Sequence, residues 1–475
     1  MLFNSLAFVV FLIPVLALYA ILPHRKQNLM LLAASYIFYG AWDYRFLSLL
    51  IASTVADYFI GLRLGTETDQ RRRKQLLLTS IGINLSMLGF FKYFGFFTQS
   101  MADLAGMFGV ELSPVTLNIV LPVGISFYTF QTLSYTFDIY RRQLEPERRF
   151  TDFALFVAFF PQLVAGPIER AKRLLPQITA PRTVTAEMIG SGLYLILLGL
   201  FKKVVVADNL APTVDRIFTQ GHVTGADVIV GAFYFGFQIY CDFSGYSDIA
   251  RGLARLLGFE LVLNFRQPFF SKTPSELWSR WHVSFTSYMR DYVFVPLGGS
   301  RRGSLVTMRN LIITSVLAGL WHGAAWNFAL WGVYFSVIIV AYYFYEQAIK
   351  PHVDQALAGH AWAARPRTIL AIAVMLTLTL YAFIIFRSTS FGQIADMTLA
   401  LGHLGSLATL AEFGLKFAVL AGPIILLDYF EYRTDRQELP TYAPVWVQSA
   451  VYTVAMVSFL VIGAFNGVSF IYFQF

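Results

Sequence analysis

The sequence predicts an all-α, polytopic integral membrane protein of roughly eleven transmembrane helices, with re-entrant or interfacial helices between them. Three observations predict it. Of 475 residues, 57% are hydrophobic and only 13% charged, whereas soluble domains carry about 25% charged residues. Apolar runs recur along the whole chain at the length of about 20 residues that a helix needs to cross a bilayer core. Basic residues gather in short clusters between those runs, as expected of cytoplasmic loops.

The runs place spans at 3–22, 28–42, 46–64, 76–97, 117–138, 189–207, 228–247, 311–345, 368–386, 413–430 and 446–466, of which 311–345 is too long for one pass. The first run lacks a basic leading region and is followed by His24-Arg25-Lys26. It therefore reads as a spanning helix entering the cytoplasm and not as a cleaved signal peptide. With the N-terminus outside, that cluster, Arg71-Arg72-Arg73-Lys74 and Arg141-Arg142 all fall on the inner face. Arg433 and Arg436 fit the same side, which leaves the FIYFQF ending outside.

Two regions break the pattern. Residues 152–180 include FFPQLVAGPIERAKRLLPQ, and 248–310 mix Pro, Trp, Arg, Asp and His. Three prolines, one glycine and four charges make the first unlike a plain span, and the second is too polar to face lipid and too aromatic for a disordered loop. Irregular backbone at membrane depth is tolerated where it is buried in protein or lines a wet cavity, so these segments are expected to build a site on the cytoplasmic side. We read residues 1–475 as one membrane domain: N-terminal helices 1–140, a core 141–345 holding the re-entrant segments, and C-terminal helices 346–475. No internal repeat is visible.

The net charge of +8 is explained by topology, without a basic, aromatic-studded face for nucleic acid, so no nucleic-acid partner is expected. One cysteine, Cys241, excludes an internal disulfide, and no Cys/His spacing suggests a metal site. Signatures of a nucleophile elbow, a phosphate loop, a dinucleotide site or a zinc protease are absent.

Ionisable residues inside apolar runs are functional candidates by default. His322 lies in LAGLWHGAAWNFALWGVYF. An imidazole neutral at cytosolic pH can take a proton from a hydroxyl; the competing reading is a packed histidine bonded to a backbone carbonyl. His282 lies in SELWSRWHVSF, four residues after Trp278, which on a helix would put both on one face. It is either a second polar group of the same site, able to stabilise negative charge, or a wetted interfacial histidine. Trp278, Trp281, Arg280, Trp321 and Asn327 are the candidate substrate-binding residues. For the tryptophans, interfacial anchoring or packing competes; for Arg280, solvation or ion pairing. Asp242 and Asp248, six apart, and Glu169 read chiefly as polar anchors. Arg301-Arg302 fit either a cytoplasmic loop or contact with donor phosphates.

RWHVSFTSYMRDYVFVPLGG followed about twenty residues later by GLWHGAAWNF resembles the membrane-bound O-acyltransferase family, in its bacterial alginate O-acetyltransferase branch. LLAASYIFYGAW, LPVGISFYTFQTLSYTFDIYR, FFPQLVAGPIERAKRLLPQI, QIYCDFSGYSDIARGLA and FIYFQF carry the likeness further. It is strong over most of 1–345 and weak across about 350–465. The resemblance implies a ring of helices around a central tunnel, with His322 as the catalytic histidine and His282 as the second histidine. It further implies a bacterial inner-membrane location among membrane lipids, no bound cofactor, and acetyl-CoA as donor. Acetyl would pass outward to a periplasmic acetyltransferase partner. Peptidoglycan and cellulose acetylation proteins look similar. A polysaccharide or lipid-carrier transporter would also place polar groups at membrane depth, but the paired broken helices of transporter repeats are not found.

Overall fold

The computed structural model describes residues 1–113, 117, 119–164, 166–358, 360–465 and 470–471. The last four residues of FIYFQF and Ala165 of the AGPIER segment lie outside the described residues, as do parts of the spans expected at 117–138 and 446–466. Among the described residues all regular structure is helical, and the chain divides into two compact units, Met1–Ile196 with Ile249–Val262 and Leu197–Asp248 with Leu263–Phe475.

The first unit contains α1 (Leu6–Ile21), α2 (His24–Asp43), α3 (Leu47–Thr66), α4 (Gln70–Leu88), α5 (Phe94–Met107), α6 (Ile125–Tyr140), α7 (Phe150–Ala158), α8 (Phe160–Leu163) and α9 (Ala171–Thr179). Two helices contribute to both units, α10 (Ala186–Leu200) and α12 (Gly225–Leu256), with α11 (Asp208–Thr219) between them. The second unit continues through α13 (Pro274–Arg280), α14 (Val283–Met289), α15 (Ser304–His322), α16 (Trp326–Phe344) and α17 (Lys350–Ala356). It ends with α18 (Ala364–Arg387), α19 (Phe391–Ala400), α20 (Leu407–Thr434) and α21 (Val445–Ile462).

Eight helical stretches among the described residues are long and apolar enough to cross a membrane, and two shorter apolar helices, Leu6–Ile21 and Phe150–Leu163, accompany them. The chain is a multi-pass membrane protein. The expected runs 28–42 and 46–64 form one stretch interrupted by a 3₁₀ turn at Tyr44–Phe46. The over-long run 311–345 divides at Gly323–Ala325 into α15 and α16. Residues 150–179 and 268–294 are broken into short helices, while the ends of the second irregular region belong to α12 and α15, and residues 153–160 are fully buried.

In the first unit, polar side chains join α3, α4 and α6. Asp57 accepts from Ser80 Oγ at 2.5 Å and from Asn84 Nδ2 at 2.7 Å, while Asn84 Oδ1 accepts from Ser53 at 2.9 Å and Thr132 at 3.2 Å. All five are buried. With no gain from removing apolar surface from water, interhelical hydrogen bonds and close packing hold helices together in lipid. Replacing Asp57 by Ala leaves the donors of Ser80 and Asn84 without their acceptor, which costs about 1–3 kcal/mol. We expect Asp57→Ala to inactivate at a lower temperature than wild type in detergent, and Asp57→Asn to recover part of the loss; equal thermal midpoints for Asp57→Ala and wild type would refute this role.

Arg73 departs from its sequence reading as a cytoplasmic loop charge. It is buried, and its guanidinium donates to the carbonyls of Leu64 and Glu67 at the end of α3, and to those of Ile139 and Tyr140 at the end of α6. The last carbonyls of a helix have no partner within it and carry the negative end of its dipole, so one cation terminates two helices.

Glu169 is a buried anchor. Its carboxylate accepts from the backbone N–H of Val262 and lies 4.0 Å from Arg173. Burial pushes this carboxyl up to about 7, against the pull of that N–H and of the arginines.

Candidate functional site

The site is built within the second unit, beginning with the α15–α16 hairpin. A Cβ at Gly319 would collide with the Phe328 carbonyl, and one at Gly332 would meet the Ser315 oxygen at 2.5 Å. Glycine at both positions lets the helix backbones approach closely, as small residues do in membrane helix pairs. His322 is the last residue of α15 and is 6% exposed. It therefore sits at the end of a spanning-length helix, at the break within the over-long apolar run 311–345. Aromatic rings pack around it, among them Trp321 at 5.1 Å, Trp331 and Phe386 both at 5.3 Å, and Phe285 at 5.6 Å between centroids.

His282 comes from a different local structure. Thr273 caps the start of α13, accepting from the Glu276 N–H at 3.1 Å, and the Glu276 side chain accepts from the Lys272 N–H just before the cap at 2.8 Å. Pro274 fits the first helical position. The helix stops at Arg280, and His282 takes a left-handed conformation (φ 44°, ψ 52°) before α14. The expectation that Trp278 and His282 share one helical face is therefore corrected: the helix ends between them. Trp278 packs against Trp331 and Phe335 at 5.8 and 4.8 Å, while the His282 ring lies 4.6 Å from Phe243, 5.0 Å from Phe285 and 6.0 Å from Trp321.

The two histidines flank one stacked pair, Phe285 on Trp321 at 4.3 Å. Burial, reinforced by the neighbouring His322 ring, holds the His282 imidazole well below the usual histidine range. A neutral imidazole has one nitrogen that accepts a proton and one that donates a hydrogen bond, which suits both proton removal and stabilisation of an oxyanion.

The other candidates divide. Trp321 lies between the two histidines. Trp281 packs among Tyr240, Phe265, Phe269 and Phe383. Arg280 pairs with Glu276 at 3.0 Å, donates to the Arg266 carbonyl and lies over Tyr432, so it holds its own segment together. Asn327 donates to the Phe386 carbonyl at 3.1 Å, which ties the start of α16 to the end of α18 beside His322.

Sequence reasoning passed over two lysines. A π-helical segment, Phe201–Ala207, carries Lys202 and Lys203, both buried. Lys203 is 2.8 Å from each of Asp208 and Asp242, and Lys202 is 2.7 Å from Asp248. Asp242 also accepts from the Ile471 N–H at 2.7 Å, close to where Phe470 packs on Phe243 and Tyr246. The two aspartates six apart are thus anchors for adjacent lysines. The available signal was a pair of lysines inside the expected span 189–207.

Membrane-length helices and two buried histidines around a shared aromatic pair describe an integral membrane protein with polar groups held in a buried aromatic site. The sequence model of the membrane-bound O-acyltransferase family matches residues 142–385, and the chain belongs to that family. It is an O-acyltransferase. It is 35% identical to the probable alginate O-acetylase AlgI of Pseudomonas putida over the whole of both chains. It is 44% identical to the protein of that name from Azotobacter vinelandii, over 70% of this chain and 67% of the relative. The peptidoglycan O-acetyltransferase of Helicobacter pylori is 33% identical over 74% of this chain and 72% of its own.

Proposed function

We propose that this O-acyltransferase takes acetyl from acetyl-CoA at the cytoplasmic face of a bacterial inner membrane and passes it outward for O-acetylation of an exopolysaccharide such as alginate. A periplasmic acetyltransferase is the expected partner, and the N-terminus faces the periplasm. The placement of His322 and His282 on either side of the Phe285–Trp321 pair carries the reading.

His322 removes the proton of the acceptor hydroxyl as its oxygen attacks the thioester carbonyl. His282 donates a hydrogen bond to the oxygen of the tetrahedral intermediate. As the carbon–sulfur bond breaks, the thiolate leaves and recovers a proton from the His322 imidazolium. The ester and free CoA are the products. Similarity to alginate O-acetylases over the full chain favours alginate; the peptidoglycan relative makes the cell wall the alternative acceptor.

The test uses membrane vesicles from cells making the polymer, supplied with [¹⁴C]acetyl-CoA on the cytoplasmic face. Label in alkali-labile esters of alginate is expected. Label confined to peptidoglycan would replace the acceptor, and no chain-dependent ester label in either polymer would overturn the reading.

A further inference from the structure

Asn264, a residue outside the histidine motifs, is assigned here as the positioning residue of His282; we propose that it holds that imidazole in its working conformation. The inference rests on His282 acting in the reaction. Three observations carry it. Among the described residues His282 is one of five non-glycine residues with positive φ, a conformation a side chain rarely adopts unless the surroundings impose it. Both residues that follow it are clamped to Asn264: the Val283 N–H donates to the Asn264 carbonyl at 3.0 Å and the Ser284 N–H to its Oδ1 at 3.2 Å. Asn264 is 1% exposed, and its Nδ2 donates to Ser247 Oγ on α12 at 3.2 Å.

The clamp extends on the other side of His282. The Arg266 N–H donates to the Arg280 carbonyl at 2.9 Å, and Arg280 Nη1 returns a bond to the Arg266 carbonyl at 3.0 Å. The segment 264–266 therefore brackets residues 280–284. Without the Asn264 side chain, the bond it accepts from the Ser284 N–H and the bond it donates to Ser247 on α12 are both lost. The backbone can then relax toward helix, which would swing the His282 ring away from Phe243 and Trp321. The Asn264 amide supplies from one side chain an acceptor for the Ser284 N–H and a donor for Ser247 Oγ.

The experiment is a double-mutant cycle on acetyl transfer from [¹⁴C]acetyl-CoA in vesicles, with Asn264→Ala, His282→Ala and the pair. We expect Asn264→Ala to lower kcat roughly ten-fold, as for residues acting as one unit, with KM for acetyl-CoA unchanged. The double variant should be no slower than His282→Ala alone. Multiplying losses, or a loss seen in KM alone, would overturn the assignment while leaving His282 catalytic. A His282→Ala variant with wild-type kcat would instead retire the catalytic reading of His282, and this assignment with it. If Asn264→Ala does not accumulate, Ser247→Ala removes only the tether and must show a smaller kcat loss, abolished in the His282→Ala background; an unchanged kcat there overturns the proposal.

Discussion

In a His322→Ala variant, acetyl on the polymer falls to background while the protein remains in the membrane at wild-type level. General-base assistance contributes about 10²–10⁴ in rate, so a loss of at least about 100-fold is expected of the imidazole. The measurement is ester-linked label per unit of membrane-extracted protein. Truncation also leaves a gap among Phe285, Trp321, Trp331 and Phe386, so a second variant is needed. His322→Gln refills much of that volume and can still hydrogen-bond, but its amide accepts no proton at neutral pH. It should therefore be as slow as the alanine variant. Transfer by His322→Gln at near the wild-type rate would identify the histidine as a packing residue and sink the proposed mechanism.

A Lys203→Met variant is expected to lose folded protein and not merely activity. Lys203 is 1% exposed and lies between Asp208 and Asp242, which are 4% and 3% exposed. Removing the cation leaves two buried carboxylates facing each other. Breaking a buried ion pair on one side costs about 3–5 kcal/mol, a large part of the roughly 5–15 kcal/mol by which proteins are stable. The measurement is monodisperse protein recovered after detergent extraction. Neutralising both partners, as in Lys203→Met with Asp208→Asn and Asp242→Asn, should restore much of it. A wild-type yield from Lys203→Met alone would show that the carboxylates find other compensation.

The helical class and the irregular regions were legible because spanning length and charge placement are written residue by residue. The division of 311–345 was legible for the same reason: two membrane-length helices cannot be one pass. His322 was legible as an ionisable group in an apolar run. The relation between Trp278 and His282 was not, because helical spacing holds only while the helix continues, and α13 ends at Arg280. Nor was Arg73, which sits inside a run of four basic residues that all look alike until the ends of α3 and α6 converge on one of them. Asn264 carries no pattern at all: its role depends on a backbone reversal at His282, eighteen positions along the chain. Contacts that join distant segments through single hydrogen bonds leave no periodicity to read.

The pairing of Lys202 with Asp248 has a consequence for how the chain is made. The two residues are 46 positions apart, so the helix carrying the lysine emerges from the ribosome well before the helix carrying its counter-ion. At the centre of a spanning helix a lone lysine disfavours insertion by about 2.5–3.5 kcal/mol, and Lys202 lies midway along the apolar stretch Ala186–Thr219. Lys203 has Asp208 five residues ahead of it as a local partner, but Lys202 has none so near. Segment 186–219 should therefore wait at the translocon until α12 arrives, and the two should enter the lipid as one unit.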